Sequence, residues 1–366
     1  MKRNRYALLF LVLVLVVLGI KAFSLKGAFP KKPSVFDSVN LNVTSAPLGR
    51  PKPTGIYTPE NLNDFSVQAW IYPGTPSCNA MKELSDGRKI DVLKPGYFAI
   101  DENGNVILLT EEEYGCNGFS KENVTTLQKY SSHQIVVVSA NHINMRVLFA
   151  DSNKISDAIN KLVDFVAKNR FSGVEVDFED FSSWTENDYI NYKNFIIGLT
   201  QVLHSEQKLV VVDGPVITPI TQKDYKWKYS DFDKMPVDYV LLMSYDNQYD
   251  GGKGSFIAPN EWVKETVTYV LSQVDNKKLI VGVPSYGYHS NSKNQIILDT
   301  QEQSMGYPGS FGAKISSESF EYYWREGNDF YVMQKKEGLA KKVNFIKSFG
   351  IQNFSVWHLG GNPWFE

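Results

Sequence analysis

The sequence predicts an α/β chain closed into a (β/α)8 barrel, with a small α+β insertion after the seventh strand. Three observations carry this. Short β-rich runs alternate with amphipathic helical stretches along the chain. The runs are continuously apolar, as parallel strands covered by helices are. Eight of them fall within about 300 residues, which suits a closed barrel better than an open sheet.

Taken in order, the chain starts with Lys2, Arg3 and Arg5 before an unbroken apolar run from Tyr6 to Ile20, ended by Lys21. A basic start before such a run reads as an export signal or signal anchor. Ala22, Phe23 and Leu25 extend it toward the length of about 20 residues that a span needs. No convincing small-x-small cleavage site follows. Residues 1–25 are therefore expected to anchor the chain in a membrane, with the rest at the extracellular face; the alternative is a cleaved signal and a secreted protein. Residues 26–64 carry Pro30, Pro33, Pro47, Pro51, Pro53 and Pro59 among Lys, Ser and Asn, and read as a linker or arm.

Residues 65–366 read as the barrel. Its strand-like runs are 67–72, 97–100 (with 106–109 as a hairpin partner), 134–139, 173–178, 208–212, 237–244, 279–284 and 353–359. Helical patterns lie at 155–168, 188–204, 259–274 and 338–349. In the first of these, Ile155, Ile159, Leu162, Val163 and Val166 form one apolar face. Residues 288–334, rich in Ser, Gly and aromatics, read as the insertion. The two cysteines, Cys78 and Cys116, follow early strand-like runs, and in an exported chain such a pair is expected to be bonded.

Composition excludes some functions. At 43% hydrophobic residues the chain can bury a large core, and a net charge of −2 gives no nucleic-acid footprint. The five histidines show no metal-ligand spacing. Gly251-Gly252-Lys253-Gly254-Ser255 lacks the spacing of a phosphate loop. No metal, cofactor or nucleic acid is expected, and a monomer is.

The chemistry concentrates on the fourth strand, Gly173-Val174-Glu175-Val176-Asp177-Phe178, and Glu179 after it. Strand side chains alternate, so Glu175, Asp177 and Glu179 share one face and Val174, Val176 and Phe178 the other. In a barrel the apolar set meets the helices, which leaves three carboxylates pointing inward. Burying like charges is costly, and crowding raises the pKa of one member so that it can donate a proton near neutral pH.

This run resembles the fourth-strand signature of the family 18 glycoside hydrolases, Asp-x-x-Asp-x-Asp-x-Glu. Three further motifs agree in order: Met243-Ser244-Tyr245-Asp246, Gly282-Val283-Pro284-Ser285-Tyr286-Gly287, and Trp357 on the eighth strand. The stretch from Asp246 to Pro259 is similar to the bacterial cortex-lytic and spore-protein branch. Two positions depart from the signature: Ser172 stands at its first Asp and Glu175 at its second.

The resemblance implies a glycosidase acting on a GlcNAc-containing polysaccharide, peptidoglycan or chitin, with retention and with the substrate's own acetamido group as nucleophile. It implies Glu179 as proton donor, Asp177 and Tyr245 as holders of the acetamido group, and Glu175 as the carboxylate beneath them. Asp246, Trp357, Met243 and Tyr286 would bind sugar. A catalytically silent barrel that binds the same sugars as a lectin is the alternative.

Overall fold

The computed structural model describes residues 67–74, 78, 80, 84, 90–291 and 295–361. The expected anchor and arm lie outside them. Among the described residues no helix is long and apolar enough to cross a membrane.

Eight strands form the ring: Gln68–Ile71, Ile90–Pro95, Ser131–Ala140, Gly173–Phe178, Leu209–Gly214, Tyr239–Met243, Leu279–Pro284 and Asn353–Trp357. Neighbours pair in parallel all the way round, and Gln68 opposite Ser355 closes the barrel. The fourth and fifth strands approach closely at Gly173, where a Cβ would stand 2.3 Å from the Leu209 carbonyl oxygen.

The helices begin where the sequence supplies caps. Asp151 accepts from the Asn153 N–H to start Ser152–Asn169, and Thr185 with Asp188 forms a capping box on Glu186–Ser205. Both helices bury their apolar stripes on the outside of the sheet. Val174, Val176 and Phe178 meet them there, and Phe178 stacks on Phe195 at 5.8 Å. Burying one such ring contributes about 1.5–3 kcal/mol. Inside the ring, Ile135, Val137, Leu209, Val211, Tyr239, Leu241 and Ile280 pack as an apolar plug. Buried polar groups, Glu175 among them, share this interior with the plug.

One strand differs from expectation. The second barrel strand is Ile90–Pro95, not 97–100. Phe98–Ile100 instead makes an antiparallel hairpin with Val106–Leu108 and joins only the far end of the third strand, Phe98 opposite Val138. The sequence hid the true strand because Asp91 and Lys94 interrupt its apolar run. Both are accounted for by tertiary partners: Asp91 accepts from the Val67 N–H at 3.0 Å, and Lys94 lies in the barrel against Glu175.

Cys78 and Cys116 are bonded, with Cα atoms 5.3 Å apart, tying the segment after the first strand to that after the second. After the seventh strand comes a five-stranded antiparallel sheet. Its order is Ile296–Asp299, Gly287–Ser290, Asp329–Met333, Tyr322–Glu326, Lys314–Ile315. Glu321, buried at its edge, accepts from the Ile257 and Ala258 N–H groups, both at 2.8 Å. Lys342, buried on helix Lys336–Lys347, donates to Asn260 Oδ1 at 2.7 Å and to the Ala258 carbonyl. Sheet, loop and last helix are latched by these two side chains.

Candidate active site

The strand ends place the expected residues around one mouth. On the fourth strand Glu175 and Asp177 are buried, while Glu179, one residue past its end, is exposed at the opening. Asp177 lies opposite Ser139, whereas Glu175 lies opposite Val137 and Val211, within the apolar layer itself. The Glu179 N–H donates to the Ala140 carbonyl at 2.9 Å, which carries the strand pairing to the residue that bears the terminal carboxyl.

Electrostatics grade these acids. Burial raises Asp177 well above the ordinary carboxylate range, and the charges of Glu179 and Glu175 add to it. Glu179 is exposed to solvent and ringed by other acids. Desolvation, then Asp246, then Asp180, push it up to about 7. Asp180 is itself engaged, with its Oδ2 3.0 Å from His142 Nδ1.

Tyr245 is buried just past the sixth strand. Burial, followed by the charges of Asp177, Asp213, Asp246 and Glu179, keeps its phenol protonated and so a donor. A Cβ at Gly282 would come within 2.9 Å of its ring, so glycine there makes room for it. Trp357 stacks on Tyr245 at 6.4 Å and 15°. Trp70 and Tyr72 meet Trp357 edge-on at 5.5 and 6.2 Å. Met243 packs partly buried against the interior cluster. Tyr286 is bound to another site residue, since its hydroxyl donates to Asp246 Oδ1, to which Gln248 Nε2 also donates at 3.1 Å. Burial raises Asp246 against the pull of those two donors.

All eight sequence-expected residues thus gather at the mouth or just beneath it, Glu175 lying deepest. The sequence reading missed five neighbours. Trp70 donates through Nε1 to Glu175 Oε1, and Lys94 Nζ lies 2.6 Å from Glu175 Oε2. Asp213, near the end of the fifth strand, is buried beside Glu175, whose charge helps raise it. Gln248 orients Asp246, and Tyr249 stands near Asp246 and Glu179, whose charges help raise its hydroxyl. Asp213 was findable: it lies two residues beyond Val211 and shares its inward face. Among the described residues no group of three or more His, Cys, Asp or Glu side chains is placed to hold a metal ion.

This arrangement can donate a proton at neutral pH from an open mouth, next to a buried hydroxyl donor and a stacked aromatic wall. The sequence profile of Glycosyl hydrolases family 18 matches residues 70–362. A glycosylase from Bacillus subtilis, YvbX, is 24% identical over 55% of this chain and 61% of its own length. The chain spans about half the length of the curated relatives it matches. Two solved structures share the fold. A chitinase from Chromobacterium violaceum is 18% identical with TM-score 0.67, covering 81% of this chain and 96% of the other. The spore cortex-lytic enzyme SleL of Bacillus cereus is 17% identical with TM-score 0.67, covering 82% of this chain and 72% of the other.

Proposed function

The chain belongs to family 18 of the glycosyl hydrolases, and from that premise we propose that it is a retaining glycosidase of β-1,4-linked, GlcNAc-containing polymer. One observation carries the reading: Glu179, pushed up to about 7, is exposed just past the strand that bears Asp177, and its charge also acts on the buried Tyr245 phenol.

Glu179 gives its proton to the glycosidic oxygen as the bond to the anomeric carbon breaks. The acetamido carbonyl oxygen of the same sugar attacks that carbon, with Tyr245 donating to the acetamido group and Asp177 orienting it. Water then opens the cyclised intermediate, and the Glu179 carboxylate takes its proton back. Two alternate residues of one strand stand about 6–7 Å apart at Cα and rise from one face. Asp177 and Glu179 therefore do not flank the bond from opposite sides, and the nucleophile comes from the substrate. Trp357 floors the sugar pocket, Asp246 binds sugar hydroxyls, and Met243 and Tyr286 complete the wall.

The similar proteins include both a chitinase and a cortex-lytic enzyme, so both polymers belong in the test. The protein and Glu179→Gln are incubated with purified cell-wall sacculi and with chitin oligomers, and products are read by mass. Cleavage by the wild type alone supports the hydrolase. Binding by both proteins with cleavage by neither means a lectin. Location at the outer face of a membrane is proposed from the basic, apolar start of the sequence. Recovery of a soluble mature chain beginning after Lys21 overturns the anchor.

A further inference from the structure

Glu175 is surrounded by donors. Trp70 Nε1 donates to its Oε1, and Lys94 Nζ lies 2.6 Å from its Oε2, with both members of that pair at 0% exposure. A tryptophan N–H and an ammonium can only donate. Beside Glu175, Asp213 is raised well above the ordinary carboxylate range, by burial first and then by the charges of Glu175 and Asp177. The same clamp reaches the sugar wall. Lys94 lies over the Trp70 ring at 4.8 Å, and Trp70 meets Tyr245 and Trp357 edge-on at 6.4 and 5.5 Å. Glu175 stands where the family signature has the shorter Asp, and its longer side chain meets a lysine from the second strand.

We propose that Lys94 is a positioning residue of the site: paired with Glu175 at 2.6 Å and lying over the Trp70 ring, it holds the Glu175 charge beneath Asp177 and beside Asp213. Glu175 then acts on Asp177 as a fixed charge two residues away, not as a partner that trades protons with it. Asp177 Oδ1 has no hydrogen-bond partner among the described residues and is available to a ligand. The groups facing this cluster are Lys94 from the second strand, Asp177 and Glu179 from the fourth, and Asp213 from the fifth. Tyr245 from the sixth-strand end and Tyr192 and Tyr229 from outside the ring complete them. Lys94 is the cation among these. Its electrostatic consequence has a definite sign: a fixed anion beside Asp177 favours the protonated Asp177, so removing the anion lets Asp177 ionise at lower pH.

The kinetic part of this inference rests on the hydrolase reading; the protonation part does not. The test is the double variant Lys94→Met/Glu175→Gln, which removes both charges at similar volume, whereas either single change strands a buried charge. In ligand-free protein carrying 13C-labelled Asp and Glu carboxyls, NMR titration of the wild type should show Asp213 protonated at neutral pH. In the double variant Asp177, freed of the Glu175 charge, should titrate below its wild-type position. The acidic limb of kcat/KM should shift with it, while KM at the optimum stays within about twofold, since the sugar-contacting groups remain. Asp213 ionised at neutral pH in the wild type overturns the proposal. So does a folded double variant in which Asp177 titrates as in the wild type. A wild type that cleaves no glycan defeats the hydrolase reading, and the carboxyl titration still decides the role of Lys94.

Discussion

Glu321 with Lys342 at the edge of the barrel and Glu175 with Lys94 inside it are the same two residue types, all four side chains buried. Their surroundings differ. Glu321 accepts two backbone N–H bonds from one loop, and Lys342 donates to a backbone carbonyl and an asparagine of the same loop. Burial pushes Glu321 up to about 7 and draws Lys342 down to about 8, each opposed by its partner. Every bond there joins one piece of chain to another. Glu175, by contrast, has two further carboxyls as neighbours, Asp177 and Asp213, and burial with mutual charge raises both well above their ordinary range. The first system satisfies its charges with structure. The second leaves protonated acids facing an open mouth, and that surplus is what marks a site of chemistry.

The comparison is sharpest if function and stability can be separated. Glu179→Gln is expected to lower kcat by about 10²–10⁴-fold, the usual worth of a positioned acid, with oligomer affinity and melting temperature unchanged. Steady-state kinetics, calorimetric titration and thermal melts read the three quantities. Glu321→Gln should do the reverse. It leaves one of the two backbone N–H groups without its acceptor and removes the carboxylate charge near Lys342, a loss of about 1–3 kcal/mol in denaturant unfolding, with kcat of the remaining folded protein unaltered. If Glu321→Gln reduced turnover in folded protein, the two systems would not be distinct in kind.

The next effect is on pH. The acid form of Glu179 is the active one, so kcat/KM should fall as pH rises through about 7, and by about tenfold for each further unit. A plateau reaching pH 9 would place the donor elsewhere. The smallest expected effect is at the wall. Tyr245→Phe removes one hydrogen bond and keeps the stacking on Trp357, so kcat/KM should drop by roughly fivefold, about 1 kcal/mol.

Much of this was legible in the sequence where pattern and environment agree. Gly173–Phe178 alternates acidic and apolar residues, and only a strand with helices outside and a polar interior satisfies both sets. Motifs at the ends of strands six, seven and eight were legible because strand ends are where barrel chemistry gathers. The second strand was not. A buried lysine and a strand-ending proline look like a surface turn until Glu175, eighty-one residues on from Lys94, is known to meet them. Asp213 was missed for a related reason: a carboxyl after three valines reads as the end of a strand, although its alternation with Val211 continues inward. In both places the deciding partner lies on another strand, and local pattern carries no record of it.

The central claim is that Glu179 works with the substrate's own acetamido group and without a carboxylate of the protein as nucleophile. The most direct measurement is proton NMR of the first products released from a β-1,4-linked GlcNAc oligomer, before mutarotation. Attack by the acetamido oxygen followed by water inverts the anomeric carbon twice, so the account predicts the β anomer first, and no cleavage of the de-N-acetylated oligomer. Early release of the α anomer, or equal cleavage of the de-N-acetylated oligomer, would contradict it.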